Sequence, residues 1–285
     1  MVMNFEVQSQ WRLLILIAFF AGGWGCGLWV TSWYYDFVPG MFIALFLVAV
    51  VKTGAHLAFL GRPERFIKAF LNPRTSWLSR GLIGITLFLA TALLYVGPYL
   101  LSWLPWHPTS TIGSAFGVAS VASSIFVMLY TGYLMAYSPA IPFWNTPILP
   151  FAFLFYSAEA GVATAIPLLL FFERYIDEKL ELVKIVLILI ILLIVGGYVY
   201  GASQSVEAAK VAVRLLLKGR LAPLFYLGVI VIGLLLPLAN SLLTLLGATF
   251  TELTAMSAVF SITGGIFFRW CILLAGVYHP IEWRV

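Results

Sequence analysis

The sequence predicts an all-α polytopic membrane protein, a compact bundle of about eight transmembrane helices with both termini on the same side. Three observations carry that expectation. Of 285 residues, 62% are hydrophobic and 9% charged, and the mean hydropathy is +1.04; soluble domains hold roughly 25% charged residues, so this chain has too few to solvate the outside of a globule. Apolar runs of about 20 residues, the length that crosses a bilayer, recur at about 13–31, 40–60, 80–103, 113–135, 148–171, 183–203, 221–246 and 253–277. The short connections hold most of the charge and sort it by side. The N-terminus and the segments 61–80, 136–147, 204–220 and 278–285 share one face, with eleven basic residues, Arg65 and Arg284 among them, against Glu6, Glu64, Glu207 and Glu282; the other face has Arg174, Lys179 and Lys184 against Asp36, Glu173, Asp177, Glu178, Glu181 and Glu252. No Ser/Gly linker or charge block divides the chain, so residues 1–285 read as a single integral membrane domain.

The composition also excludes functions. A net charge of +5 on a soluble protein would suggest nucleic acid. Here the charge sits in loops between apolar runs, where it reports topology, so the expected surroundings are membrane lipid and no nucleic acid. By the positive-inside rule the basic face would lie in the cytoplasm of a multi-pass protein in the cell membrane. Cys26 and Cys271 lie inside apolar runs with no CxxC or Cys/His pattern, which supports no disulfide, zinc site or iron–sulfur cluster in this chain. No cleavable signal peptide is evident, because the first apolar run is long and lacks a cleavage site.

Taken in order, the polar stretch Glu6-Val7-Gln8-Ser9-Gln10 and Trp11 open span one on the basic side, where Gln8 and Gln10 could line a head-group pocket. Gly22-Gly23-Trp24-Gly25-Cys26-Gly27 follows, a packing signal that lets helices approach closely. Span two ends in Lys52 and His56, one turn apart on one helix face. A charge at that depth is costly and points to function; an imidazole can donate to or accept from a carbonyl and titrates near neutral pH, which suits a quinone that takes up two protons with two electrons. The loop from Gly61 to Arg80 mixes Arg62, Arg65, Lys68, Arg74 and Arg80 with aromatics and two prolines, and proline fixes the backbone enough to give such a loop a shape. Span four ends in Tyr130 and Tyr133 before the three-proline loop that holds Trp144 and Asn145. Glu159 lies midway along span five and Arg269 in span eight. With Lys52 they form either a proton path or ion pairs, Lys52–Glu159 or Arg269–Glu159, that only neutralise charge. Residues 204–220 read as an interfacial helix, with Lys210, Arg214 and Lys218 on one side and Val206, Val213 and Leu217 on the other.

The run from His56 through Gly61-Arg62-Pro63, Arg65-Phe66, Asn72-Pro73-Arg74 and Ser76-Trp77 to Ser79-Arg80-Gly81 resembles the signature of the NrfD/PsrC family, membrane subunits of polysulfide-reductase-like complexes. The glycine-rich first span and the segments Tyr130-Thr131-Gly132 and Pro142-Phe143-Trp144-Asn145-Thr146-Pro147 are similar too. The resemblance covers spans one to five. It implies an eight-helix anchor subunit of a respiratory oxidoreductase complex without haem or metal of its own. Such a subunit would bind a menaquinone- or ubiquinone-type quinone, menaquinone foremost. It would exchange electrons with a ferredoxin-like iron–sulfur subunit carrying [4Fe-4S] clusters, which in turn serves a molybdopterin catalytic subunit. Quinol oxidation or quinone reduction would occur in the anchor, and the terminal substrate would be handled elsewhere. By this match His56 is the foremost quinone-binding residue, followed by Gln8, Gln10 and Tyr130. Arg62, Arg65, Arg74, Arg80, Trp144 and Asn145 would shape the site or dock the partner. In several relatives the docking face lies outside the cytoplasmic membrane, against the positive-inside count.

Two other classes compete with this one. A transporter or proton-translocating subunit would use Lys52, Glu159 and Arg269 as a polar path; a bare anchor would hold a soluble complex and bind only lipid.

Overall fold

A computed structural model describes residues 5–173, 178–247 and 251–279, with the side chains of 63–65 and 251 left aside. Of the residues weighed above, Arg174, Asp177, Glu282 and Arg284 and the side chains of Glu64 and Arg65 lie outside the described set. Eight helical spans are long and apolar enough to cross a membrane: Leu13–Tyr34, Val38–Phe59, Trp77–Leu100, Thr111–Ala136, Ile148–Phe171, Glu178–Ser203, Leu224–Leu245 and Glu252–Leu274. Six are single α-helices: α1 (Leu13–Tyr34), α4 (Trp77–Leu100), α5 (Thr111–Ala136), α6 (Ile148–Phe171), α7 (Glu178–Ser203) and α10 (Thr251–Leu274). In lipid the backbone must satisfy its own hydrogen bonds, which is why apolar runs of this length close into helices.

The other two spans leave α geometry midway. The second runs α2 (Val38–Phe46), a π-helical turn (Leu47–Lys52) and α3 (Thr53–Phe59); the seventh runs a π-helix (Leu224–Leu235) into α9 (Leu236–Leu245). A π-turn inserts a residue and re-aims the side chains that follow, and it recurs at functional sites. In span two the Thr53 hydroxyl donates to the Val48 carbonyl, five residues back, at 3.0 Å. In span seven Pro237 has no amide hydrogen to return to the preceding turn.

α1 runs through the middle and packs on the second span, α5, α6 and α10. Its glycines make that possible. A β-carbon at Gly22 would meet the Lys52 stem at 2.7 Å, one at Gly23 would run into Ser157, and one at Gly27 would run into the α6 backbone. The N-terminal segment joins this core to the far end of α10. Val7 bridges Val277 antiparallel, Gln8 N donates to Gly276 O at 2.9 Å and Tyr278 N to Glu6 O at 2.9 Å.

Two features depart from the sequence reading. α7 starts at Glu178 rather than near 183, so its first turn is helical despite its charge; Glu178 and Glu181 there meet the positive end of the helix dipole. Glu181 and Lys184, assigned above to the loop face, are thereby buried, at 3% and 1% exposed. A surface helix α8 spans Glu207–Leu217, and its buried side is Ala208, Ala209, Ala212, Val213 and Leu216, while Val206 is exposed. Glu207 binds Arg214 at 2.7 Å and Lys210 at 3.8 Å on the outer side.

Candidate functional site

Where α3 meets the Gly61–Arg80 loop, one cavity opens near the basic face. Lys52, Thr53 and His56 line it from span two, Leu60, Arg62, Phe66 and Ala69 from the loop, Leu78, Leu82 and Ile85 from α4, and Tyr130 from α5. Its volume is about 130 Å³. A pocket of about 150 Å³ can hold benzene, so the enclosed space approaches that of one six-membered ring.

The π-turn ends at Lys52, which puts Lys52 and His56 one α-turn apart on the cavity wall. Lys52 is 2% exposed. Its stem lies in the notch left by Gly22, and its ammonium stands 5.8 Å from the centre of the Tyr130 ring, within cation–π range. Among the described residues, no carboxylate is paired with Lys52. The His56 ring packs on Phe19, with centroids 6.2 Å apart. Its Nδ1 is buried without a hydrogen bond, and the ring lines the cavity beside Lys52. Tyr130 is wholly buried, its ring held against the bare α-carbon of Gly81. A cation, an imidazole and a phenol therefore border a ring-sized space whose other walls are mostly apolar. These groups can donate to two carbonyl oxygens or accept from two hydroxyls. Among the described residues, no group of three or more His, Cys, Asp or Glu is placed to hold a metal.

The loop is shaped from within. Arg80 Nε donates to Pro73 O at 2.8 Å and Nη2 to Arg74 O at 2.7 Å, while its guanidinium covers Trp77 at 4.6 Å. Trp77 stacks on Tyr133 at 4.6 Å, and the Ser76 hydroxyl caps α4 by accepting from Ser79 N at 3.3 Å. Arg80 thus holds the loop rather than a partner. Arg62 and Arg74 are exposed on it.

The remaining candidates lie elsewhere. Gln8 is 4% exposed and fully engaged: Nε2 donates to Leu273 O at 2.7 Å and Trp11 O at 3.1 Å, and Oε1 accepts from Trp11 N at 3.0 Å. Gln8 clasps the N-terminus to α10 and does not line the cavity, and Gln10 is exposed. Trp144 is also part of the clasp, donating to Ile272 O at 2.8 Å and packing on Trp11 at 5.4 Å. Asn145 is exposed on a separate surface hollow with Tyr133, Tyr137 and Pro147.

Residues 2–280 match the family described as Polysulphide reductase, NrfD. The chain belongs to the NrfD family. With its eight apolar helices, this NrfD chain is a multi-pass membrane protein. It is 33% identical over 172 residues to a polysulfide reductase chain of Wolinella succinogenes, covering 56% of this chain and 52% of that one. It is 30% identical over 138 residues to a sulfite dehydrogenase subunit of Allochromatium vinosum, covering 45% and 41%. The chain thus spans about half the length of the curated relatives it matches, or less.

The trio Lys52, Glu159 and Arg269 divides in this NrfD fold. Lys52 belongs to the cavity. Arg269 is held by α6: Nη2 donates to Ser157 Oγ at 2.8 Å and Phe153 O at 3.3 Å, and Nη1 to Gly265 O at 3.2 Å. Glu159, 1% exposed, has both oxygens unpartnered, so neither ion pair weighed from the sequence forms. Its charged neighbour is Lys184, which the sequence reading placed at the surface. The signal was available: Glu181 and Lys184 sit three apart at the head of an apolar run, on one helix face.

Proposed function

We propose that this chain is the membrane-anchor subunit of a respiratory oxidoreductase complex in the cell membrane, and that the Lys52–His56 cavity receives the oxygen-bearing ring of a quinone of the menaquinone or ubiquinone type, the rest of the head group lying at its mouth. The observation that carries this reading is a ring-sized space bordered by three polar side chains of which one, His56, keeps a ring nitrogen without a protein partner. The quinone supplies two-electron chemistry: the quinol gives up two electrons and two protons, and the quinone takes them back. The protein's own residues do the rest. His56 accepts or returns a proton at a ring nitrogen, Lys52 stabilises negative charge on a ring oxygen, and Tyr130 donates from its phenol. The apolar walls of Leu78, Leu82 and Ile85 exclude water and leave the isoprenoid tail to lipid.

The names of the two relatives, one from a reductase and one from a dehydrogenase, support an oxidoreductase partnership. A ferredoxin-like iron–sulfur subunit would dock on the basic face over Arg62 and Arg74, and a molybdopterin subunit beyond it would meet the terminal substrate. A proton-translocating subunit is the second reading, favoured by the unpartnered Glu159 carboxylate. The quinone reading is tested on the purified complex by quinol oxidation with an artificial acceptor and by titration with a short-chain quinone. His56→Ala should slow turnover by about 100-fold or more, the usual share of a general acid–base. Unchanged turnover and unchanged quinone binding in both His56→Ala and Tyr130→Phe would remove the cavity from the reaction.

A further inference from the structure

A second buried polar group lies in the other half of the bundle, toward the opposite membrane face. Glu159 on α6 and Glu181 on α7 are 1% and 3% exposed, and all four of their oxygens are unpartnered. Lys184, one turn along α7 from Glu181, is 1% exposed and donates to Ser257 Oγ on α10 at 2.7 Å. It lies within electrostatic reach of both carboxylates. The Ser261 hydroxyl, wholly buried, approaches Glu159 from α10 without completing a hydrogen bond.

Charge balance decides what such a group takes up. Two carboxylates and one ammonium leave one negative charge in a lipid-embedded interior, and an unbalanced buried charge is costly enough that the group must be neutralised. Among the described residues, the other charged or titratable groups near it are neutral, bound elsewhere or at the surface. Tyr156, on Glu159's own helix, is a phenol. Arg269 lies two turns past Ser261 along α10, about 12 Å on, and is bound to Ser157 and Phe153. α1 turns glycines, Gly23 and Gly27, to this part of α6, and α5 meets α6 closely at Gly132 against Pro150, nearer the basic face. Glu178, Lys179 and Glu252 are exposed at the helix ends.

The group also has a way out. On α10, Thr254, Ser257 and Ser261 recur at intervals of three and four residues, one stripe of a helix, and all are buried. The stripe begins about one turn inside the end of α10 at the face opposite the cavity. Hydroxyls donate and accept, so a row of them about 5–6 Å apart can pass a proton through water held between them.

We propose that Glu159, Glu181 and Lys184 form a one-proton binding site, reached from the membrane face opposite the cavity along the hydroxyl stripe of α10. The inference goes beyond the quinone reading and does not depend on it. The protonated acid neutralises the group, and the proton leaves by the same row of hydroxyls.

The test reads proton content directly. The purified complex in lipid nanodiscs is first brought to alkaline pH to remove the proton and then titrated with acid, and its infrared difference spectrum is followed in the protonated-carboxyl region, in potassium and in sodium chloride. Wild type should show one buried carboxyl taking up a proton. Glu159→Gln should lose that signal, since one carboxylate and one ammonium then cancel. Lys184→Met should double it, since two carboxylates then need two protons. A wild-type spectrum without the signal, or a signal of equal size in Glu159→Gln and Lys184→Met, overturns the proposal. So does a signal abolished by sodium at constant pH, which would make the ligand a metal cation. Quinol oxidation measured on the same samples reports the cavity separately.

Discussion

Two regions near the basic face place polar side chains in an apolar interior and treat them in opposite ways. In the terminal clasp the buried polar side chains are engaged: Gln8 uses both ends of its amide and the Trp144 indole donates to Ile272 O, while next to Trp144 the Tyr198 hydroxyl donates to Phe143 O at 2.6 Å. In the cavity the polar groups are left open. Lys52 has no carboxylate, and His56 keeps Nδ1 without a hydrogen bond. A satisfied buried group adds to stability and has nothing left to offer a ligand; an open one lowers stability and can bind. The difference separates residues that hold the fold from residues free to act, although both sets drew notice in the sequence as polar side chains at helix ends.

After His56, the largest effect expected from breaking this contrast is at Lys52. Lys52→Met removes a buried cation that no carboxylate balances, so the melting temperature of the complex should hold or rise. Quinol turnover should meanwhile fall roughly tenfold to a hundredfold, the worth of a hydrogen bond to a charged group. A drop in melting temperature with full turnover would make Lys52 structural. Gln8→Ala is the mirror experiment. It leaves the Trp11 backbone N–H without its acceptor and the Leu273 carbonyl with only the longer bond from Gly276 N at 3.3 Å, at a cost of about 1–3 kcal/mol, and turnover of the surviving complex should match wild type. Lost turnover at an unchanged melting temperature would return Gln8 to the quinone site.

The smallest effect is set by α8, outside both regions. The hydrogen bond from Arg214, with the nearby Lys210 and Arg214 charges, holds the exposed Glu207 carboxyl below its ordinary value, against a smaller opposing effect of desolvation. A depressed carboxyl contributes its stability above the ordinary value of about 4.3 and loses it as pH falls through the lower folded value. Hydrogen exchange should therefore show α8 loosening slightly below about pH 4, with the clasp unaffected. Equal loosening of α8 in a Glu207→Gln variant at neutral pH would tie the effect to this pair.

Much of the site was legible before the structure. Lys52 and His56 share a helix face by spacing alone, and the prolines and arginines of the loop after them announced a shaped segment. Tyr130 stands out in the sequence at the end of its span, but what lets it reach the cavity, the bare α-carbon of Gly81 on another helix, is visible only in the fold. Gln8 and Arg80 carry the same polar signal as His56, yet their hydrogen bonds turn inward. Glu181 and Lys184 were misplaced because a charged first turn looks like a loop when helix ends are read from hydropathy.

By itself the sequence determined the eight spans, the basic face and the list of polar residues that lipid makes costly, because these follow from local composition and the length needed to cross a bilayer. Which of those residues are spent on the fold and which stay open was decided only by the tertiary structure. A side chain's partners come from other helices: the notch at Gly22 that admits Lys52, the α10 carbonyls that engage Gln8 and Trp144, and the α7 lysine that stands where a partner for Glu159 was sought on α1's neighbours.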